Sequence, residues 1–121
     1  MAKATNRPAR LVIIRHGESV RNEAKKGETY FADDAARRRI VGIPDHKIAL
    51  TDEGHRQARV TGVALREMFP PPDYLYHSGY LRTIQTADDI LEAYPEEVRS
   101  SIQIRTNEFL RERDPGYTYD M

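Results

Sequence analysis

The pattern of apolar positions predicts three strands and two helices along this chain. The first apolar run, Leu11 to Ile14, has four residues, three of them β-branched, and leads directly into Arg15, His16 and Gly17. Such a run is typical of a buried parallel strand, although periodicity alone leaves a piece of buried helix open. Length and β-branching favour the strand. We predict that it ends at Arg15 or His16, with Gly17 permitting a turn or the close approach of a ligand.

Helical periodicity begins after Leu50 and ends at three consecutive prolines. Thr51 can accept backbone N–H bonds as the helix cap, and two acidic residues follow it in the first turn. Apolar or small side chains then recur at helical spacing, at Ala58, Gly62, Leu65 and Phe69. The prolines stop this helix because proline supplies no N–H.

The alternation of predicted strand and predicted helix continues along the rest of the chain. Residues 73–78 have the composition of a second strand, and Gly79 follows them. Helical spacing resumes at Leu81, Ile84, Ala87 and Leu91. Residues 101–106 alternate apolar with polar side chains, which predicts a third strand. This order of elements predicts a right-handed parallel α/β sheet with helices on its faces.

A polar, charged excursion over residues 20–39 separates the first strand from the first helix, with room for one helical turn. Within it, Arg37, Arg38 and Arg39 form either a solvated face or a group that holds an anionic substrate. Composition leaves both open.

The composition is that of an ordinary globular domain. Of 121 residues, 39% are hydrophobic and 31% charged, and 19 basic residues balance 19 acidic ones. This balance gives no long-range field to recruit nucleic acid or an anionic membrane. No stretch approaches the roughly 20 apolar residues of a membrane span. We expect a single cytoplasmic domain over residues 1–121 with a flexible N-terminus at residues 1–9, and neither nucleic acid nor membrane as partner.

Arg82 falls in the first turn of the second helix, where a cation is disfavoured unless an anion binds beside it. If the first two strands are neighbours, Arg15 and Arg82 converge on His16. Positive charge on both sides disfavours imidazolium, so His16 would be neutral and nucleophilic. Attack on a phosphorus held by the arginines would give a phosphohistidine.

Here the sequence resembles the histidine phosphatase superfamily, also called phosphoglycerate mutase-like, whose signature is an arginine-histidine-glycine triplet at the end of the first strand. The triplet is Arg15, His16 and Gly17, continued by Glu18 and Ser19. The family's patterns at the two helices are matched by Leu50, Thr51, Gly54, Gln57, Ala58, Ser78, Arg82, Gln85, Thr86 and Ala87. The resemblance implies a three-layer α/β/α fold with a mainly parallel sheet.

The resemblance also implies roles at the site. His16 is the nucleophile, with Arg15 and Arg82 as catalytic partners that clamp the phosphate. The positions that match substrate-binding residues are Arg15, Gly17, Asn22, Gly42 and Arg82. The segment around Arg111 resembles the part that holds the acid/base carboxylate, which points to Glu112. Its charged neighbours alone would make Glu112 a solvated surface residue.

Two departures from the family matter. Residues 113–116 are Arg-Asp-Pro-Gly, where cofactor-dependent phosphoglycerate mutases are expected to have Arg-His-Tyr-Gly, and this favours a phosphatase. The family's second catalytic histidine has no match before Met121. His46, His55 and His77 are not expected to replace it, and no pair of histidines has metal-ligand spacing.

We therefore expect the N-terminal part of a longer histidine phosphatase domain, with a sheet incomplete at its C-terminal side. A homodimer is one way to cover such a sheet. The leading interpretation is phosphomonoester hydrolysis through a phosphohistidine on His16, acting on a phosphorylated small molecule or a phosphoprotein, with no metal and no cofactor. The alternatives are a phosphomutase and a catalytically incomplete phosphate-binding or interaction fragment. A nucleotide-binding module is disfavoured, because the chain has no glycine-rich phosphate loop with its lysine.

Overall fold

The computed structural model describes residues 9–25 and 41–111. In these ranges the chain forms four α-helices and two β-strands, which are α1 (Val20–Lys25), α2 (Asp52–Met68), β1 (Tyr74–His77), α3 (Leu81–Leu91), α4 (Glu96–Arg99) and β2 (Gln103–Thr106). Short 3-10 turns at Asp45–Lys47 and Glu108–Leu110 complete the described elements. The predicted α/β class with a parallel sheet is confirmed.

Helix α2 begins and ends where the sequence predicts. The Thr51 hydroxyl accepts a hydrogen bond from the Gly54 N–H at 3.0 Å, which is the predicted N-cap. Met68 is the last helical residue, and Phe69 has extended backbone just before the prolines. Local signals alone are therefore sufficient to place this helix.

The sheet consists of β1 and β2 in parallel, in a register that runs from Tyr74 beside Gln103 to His77 beside Thr106. The predicted strands at 73–78 and 101–106 enclose these two. A parallel pair needs a crossover connection, and α3 with α4 supplies it. Helix α3 lies against β1, and residues 78–80 connect the two.

Helices α2 and α3 pack closely at Gly62. A Cβ at this position would lie 2.5 Å from the Ile90 carbonyl oxygen, so the missing side chain lets the two helices approach. The buried hydrophobic residues are Ala24, Ile48, Leu50, Ala58, Ala87, Ile90, Leu91, Tyr94 and Ile102. Burial raises the pKa of the Tyr94 hydroxyl, because low-dielectric surroundings disfavour the phenolate.

Residues 11–14 do not form the predicted buried strand. They belong to no strand of the described sheet, and the side chains of Leu11, Val12, Ile13 and Ile14 are 73%, 41%, 87% and 40% exposed. The exposure alternates with a period of two, as it does in a strand with one covered face. An apolar run becomes a central parallel strand only when strands pair with it and helices cover both faces. Residues 9–25 and 41–111 do not supply those layers, so this prediction is wrong for the described structure.

Several sequence predictions fall outside the described residues. These are most of the flexible N-terminus, the arginines at 37–39 and the acid/base candidate Glu112.

Helix α1 confirms the helical turn in the polar excursion. Tyr74 and Tyr76 lie on one side of the sheet, where both are exposed, and their rings stack with centroids 6.1 Å apart. None of the helices in residues 9–25 and 41–111 is long and apolar enough to cross a membrane.

Candidate functional site

The backbone that follows His16 is held by side chains from both long helices. Gly17 donates its N–H to the Thr86 hydroxyl of α3 at 3.2 Å, and this bond is buried. Glu18 donates its N–H to the Gln57 amide oxygen of α2 at 2.9 Å. Two consecutive peptide groups are thus tied to two different helices, which gives His16 a defined position relative to both.

Two glycines allow this segment to touch the start of α2. A Cβ at Gly17 would overlap the Gly54 carbonyl, and a Cβ at Gly54 would overlap the Glu18 carbonyl. Thr51 strengthens the contact, because its N–H donates to the Glu18 carbonyl at 2.9 Å and its hydroxyl donates to the Glu18 carboxylate at 2.6 Å. The close neighbour of Gly17 is therefore the backbone of α2, and the ligand approach predicted at Gly17 stays a prediction.

The half-buried His16 ring contacts the backbone of the residue that follows it. Its Nδ1 lies 2.6 Å from the Gly17 carbonyl oxygen. A carbonyl oxygen can only accept, so Nδ1 carries the proton. In the neutral ring the lone pair then belongs to Nε2, which makes Nε2 the atom that can act as nucleophile or base.

The guanidinium of Arg82 is buried at the start of α3 and binds Asp45. Nη1 donates to the Asp45 carbonyl oxygen at 2.8 Å and to Oδ1 at 3.3 Å, and Nη2 donates to Oδ2 at 3.4 Å. Arg21 lies 3.5 Å from the same carboxylate. The anion that the sequence predicts beside Arg82 is thus supplied, in this structure, by an acidic residue of the same chain.

Comparison with known proteins decides the family. The model of the histidine phosphatase superfamily (branch 1) matches residues 11–121. The chain belongs to the histidine phosphatase superfamily. No solved structure matches it significantly.

Three curated relatives of this histidine phosphatase chain are informative. It is 31% identical over 116 residues to the phosphoglycerate mutase-like protein AT74H of Arabidopsis thaliana, covering 84% of this chain and 37% of that protein. It is 34% identical over 116 residues to AT74 of the same plant, covering 90% and 32%. It is 37% identical over 68 residues to the broad-range acid phosphatase DET1 of Saccharomyces cerevisiae, covering 56% and 17%. The chain spans about a third of the length of the two plant relatives.

Three other positions that match the histidine phosphatase pattern are Asn22, Gly42 and Arg15. The Asn22 side-chain oxygen accepts from the Ser19 N–H and the Ser19 hydroxyl, both at 3.0 Å, at the start of α1. Gly42 lies in a turn with φ of 83°, a conformation that favours glycine. Arg15 is exposed. The substrate contacts predicted for Asn22, Gly42 and Arg15 stay predictions.

The remaining histidines have other partners. His77 Nδ1 accepts from the Gly79 N–H at 3.0 Å, which shapes the turn between β1 and α3. His55 Nδ1 lies 2.5 Å from Oδ2 of the buried Asp89 and so joins α2 to α3. His46 is exposed, with its ring 6.3 Å from that of Tyr80. Within residues 9–25 and 41–111, no three histidine or acidic side chains cluster as metal ligands would.

Sequence reasoning missed the residues that hold the site together. Asp45 carries no local signal, because its partner Arg82 is distant in the chain and no periodicity relates the two. Gln57, Gln85 and Thr86 stand out only as matches to the family pattern. Gln85 accepts from the Leu50 N–H at 2.8 Å, just as Gln57 accepts from Glu18, so both glutamines satisfy loop N–H groups.

Proposed function

We propose that this chain hydrolyses phosphomonoesters through a phosphohistidine on His16, with a phosphorylated small molecule or a phosphoprotein as substrate. Membership of the histidine phosphatase superfamily supports phosphatase-type activity, and the yeast broad-range acid phosphatase among its relatives supports it further. The observation that carries the proposal is the hydrogen bond from His16 Nδ1 to the Gly17 carbonyl, because it puts the proton of the neutral ring on Nδ1 and the nucleophilic lone pair on Nε2.

In the proposed first step, the Nε2 lone pair attacks phosphorus, the N–P bond forms, and the P–O bond to the leaving alcohol breaks. Glu112 donates the proton that the leaving oxygen takes up. Water then attacks phosphorus, Nε2 leaves with the N–P electrons, and Glu112 accepts the proton from the water. Arg15 and Arg82 stabilise the charge on the non-bridging oxygens in both steps.

A phosphomutase is the second candidate, and it is supported by the two Arabidopsis relatives named as phosphoglycerate mutase-like. A mutase uses the same phosphohistidine but returns the phosphoryl group to an organic acceptor. The two activities therefore differ in whether water or an alcohol attacks the intermediate.

We expect acid-labile phosphate on the peptide that contains His16 when the chain is mixed with p-nitrophenyl phosphate and quenched in base. Peptide mapping by mass spectrometry locates the phosphate, and inorganic phosphate release measures turnover. In a parallel reaction with a phosphoglycerate, transfer of the phosphoryl group to the other hydroxyl of the glycerate, without release of inorganic phosphate, would favour the mutase. Phosphate binding with no phosphohistidine would contradict both enzymes and leave a phosphate-binding fragment.

A phosphate held by Arg82 has to compete with Asp45. We expect Asp45→Asn to lower the free energy of unfolding by about 1–3 kcal/mol, because a charge-assisted contact to a buried guanidinium is lost. Added inorganic phosphate should recover more stability in this variant than in the wild type, since it replaces the missing charge. Thermal unfolding over a phosphate series measures both effects.

Asp88→Asn is the matched control, because Asp88 is exposed on the same helix. It removes the same charge without touching Arg82. An equal phosphate response from all three proteins would show that Arg82 does not receive the phosphate.

A further inference from the structure

The hydroxyl of Thr86 joins the two parts of the site that the proposed mechanism brings together. It accepts the Gly17 N–H at 3.2 Å and donates to the Arg82 carbonyl oxygen at 2.7 Å. Thr86 is buried, and Gly17 is buried beside it. One hydroxyl therefore contacts the backbone next to the nucleophile and the backbone of the arginine that lies one helical turn earlier.

The direction of both hydrogen bonds is set by chemistry. A hydroxyl has one proton, and a carbonyl oxygen can only accept, so the Thr86 proton points to Arg82. The oxygen lone pairs are then available to the Gly17 N–H. Each bond polarises the hydroxyl in the sense that strengthens the other.

A bond from a threonine to the carbonyl four residues earlier is common in helices and by itself has no functional meaning. The second bond is different, because it reaches a glycine 69 residues away in the chain. The buried Gly17 N–H needs an acceptor. A valine at position 86 would have nearly the same shape and would supply none.

We propose that Thr86 is a positioning residue, which holds the backbone of His16 in register with Arg82 so that Nε2 faces the phosphorus of the bound ester. This inference rests on the proposed function, because the relative position of His16 and Arg82 matters only if both act on the same phosphate. Thr86 acts through Gly17 and does not itself contact the substrate.

Three variants of the full chain test the role of Thr86. Thr86→Val removes the hydroxyl and keeps the shape, Thr86→Ser keeps the hydroxyl and removes the methyl group, and Ile90→Val disturbs the buried face of α3 one turn further on. The measurements are amide hydrogen exchange at Gly17 by NMR, and kcat and KM for p-nitrophenyl phosphate. Should Thr86→Val fail to fold, Thr86→Ala supplies the same comparison.

We expect Thr86→Val to speed Gly17 exchange about tenfold and to lower kcat about tenfold, with KM changed by less than about threefold. Thr86→Ser should recover both quantities, and Ile90→Val should change neither beyond its effect on overall stability. Unchanged Gly17 exchange in Thr86→Val, or fast exchange with wild-type kcat, would overturn the positioning role. Equal losses in Thr86→Ser and Thr86→Val would also overturn it, because packing would then be the cause.

Phosphohistidine labelling of the wild type and of Thr86→Val separates this inference from the proposed function. A wild-type chain that acquires no phosphate on His16 contradicts the proposed function, and the inference fails with it. A wild-type chain that forms the phosphohistidine, beside a Thr86→Val variant that forms it equally fast, contradicts only the role of Thr86.

Discussion

His16→Asn is expected to abolish phosphoryl transfer and to lower kcat/KM for p-nitrophenyl phosphate on the order of 10⁴-fold or more. The amide nitrogen of asparagine has no lone pair available for attack on phosphorus, so the covalent intermediate cannot form. Acid-labile phosphate should disappear from the peptide that contains residue 16. Steady-state kinetics and intact-protein mass spectrometry measure the two effects.

His46→Asn is the matched control for this substitution. His46 is exposed in the turn before Ile48, and nothing in the proposed mechanism uses its ring. The His46→Asn variant should keep wild-type turnover and a wild-type level of phosphohistidine. If turnover survives in His16→Asn, or the label moves to another histidine, the mechanism is wrong.

Gly54→Ala should unfold the chain more easily, although alanine is the better helix former. In an exposed helix the change would stabilise by about 1 kcal/mol. Here the new Cβ would overlap the Glu18 carbonyl, whose oxygen also accepts from the Thr51 N–H. Either α2 or the segment after His16 must move, and we expect a loss of about 2–4 kcal/mol in the free energy of unfolding. Chemical denaturation followed by circular dichroism measures it.

Val60→Ala is the control for Gly54→Ala, because Val60 is exposed on the same helix and its truncation leaves no cavity. Its effect should stay within about 0.5 kcal/mol. A Gly54→Ala variant as stable as the wild type would mean that the glycine contact is not formed in solution. The sign of the change is therefore as informative as its size.

The Gly54→Ala prediction depends on one arrangement, in which the backbone of residues 16–18 lies against two helices. Gly54 sets how closely that backbone approaches α2, and Thr86 sets its position on α3. A histidine held in this way would lose little further conformational freedom in the proposed attack on phosphorus, which is the physical advantage of preorganisation.

The sequence by itself determined the local elements of this protein. Thr51 and the prolines place α2 almost to the residue, and the spacing from Leu81 to Leu91 places α3, because capping and periodicity act between residues close in the chain. The triplet Arg15, His16 and Gly17, together with the patterns at the two helices, indicated the family, which comparison with known proteins confirms. Short segments of the sequence are thus sufficient to predict these two helices and the family.

Only the tertiary structure decided how those elements meet. The apolar run at Leu11–Ile14 has the composition of a buried strand, yet burial depends on pairing strands and covering helices that a local pattern does not encode. The pairing of Arg82 with Asp45 and the bond from Gly17 to Thr86 join residues 37 and 69 positions apart. Such contacts follow from the way the turn at Asp45–Lys47 and the segment after His16 lie against α3, and no periodicity in the sequence predicts them.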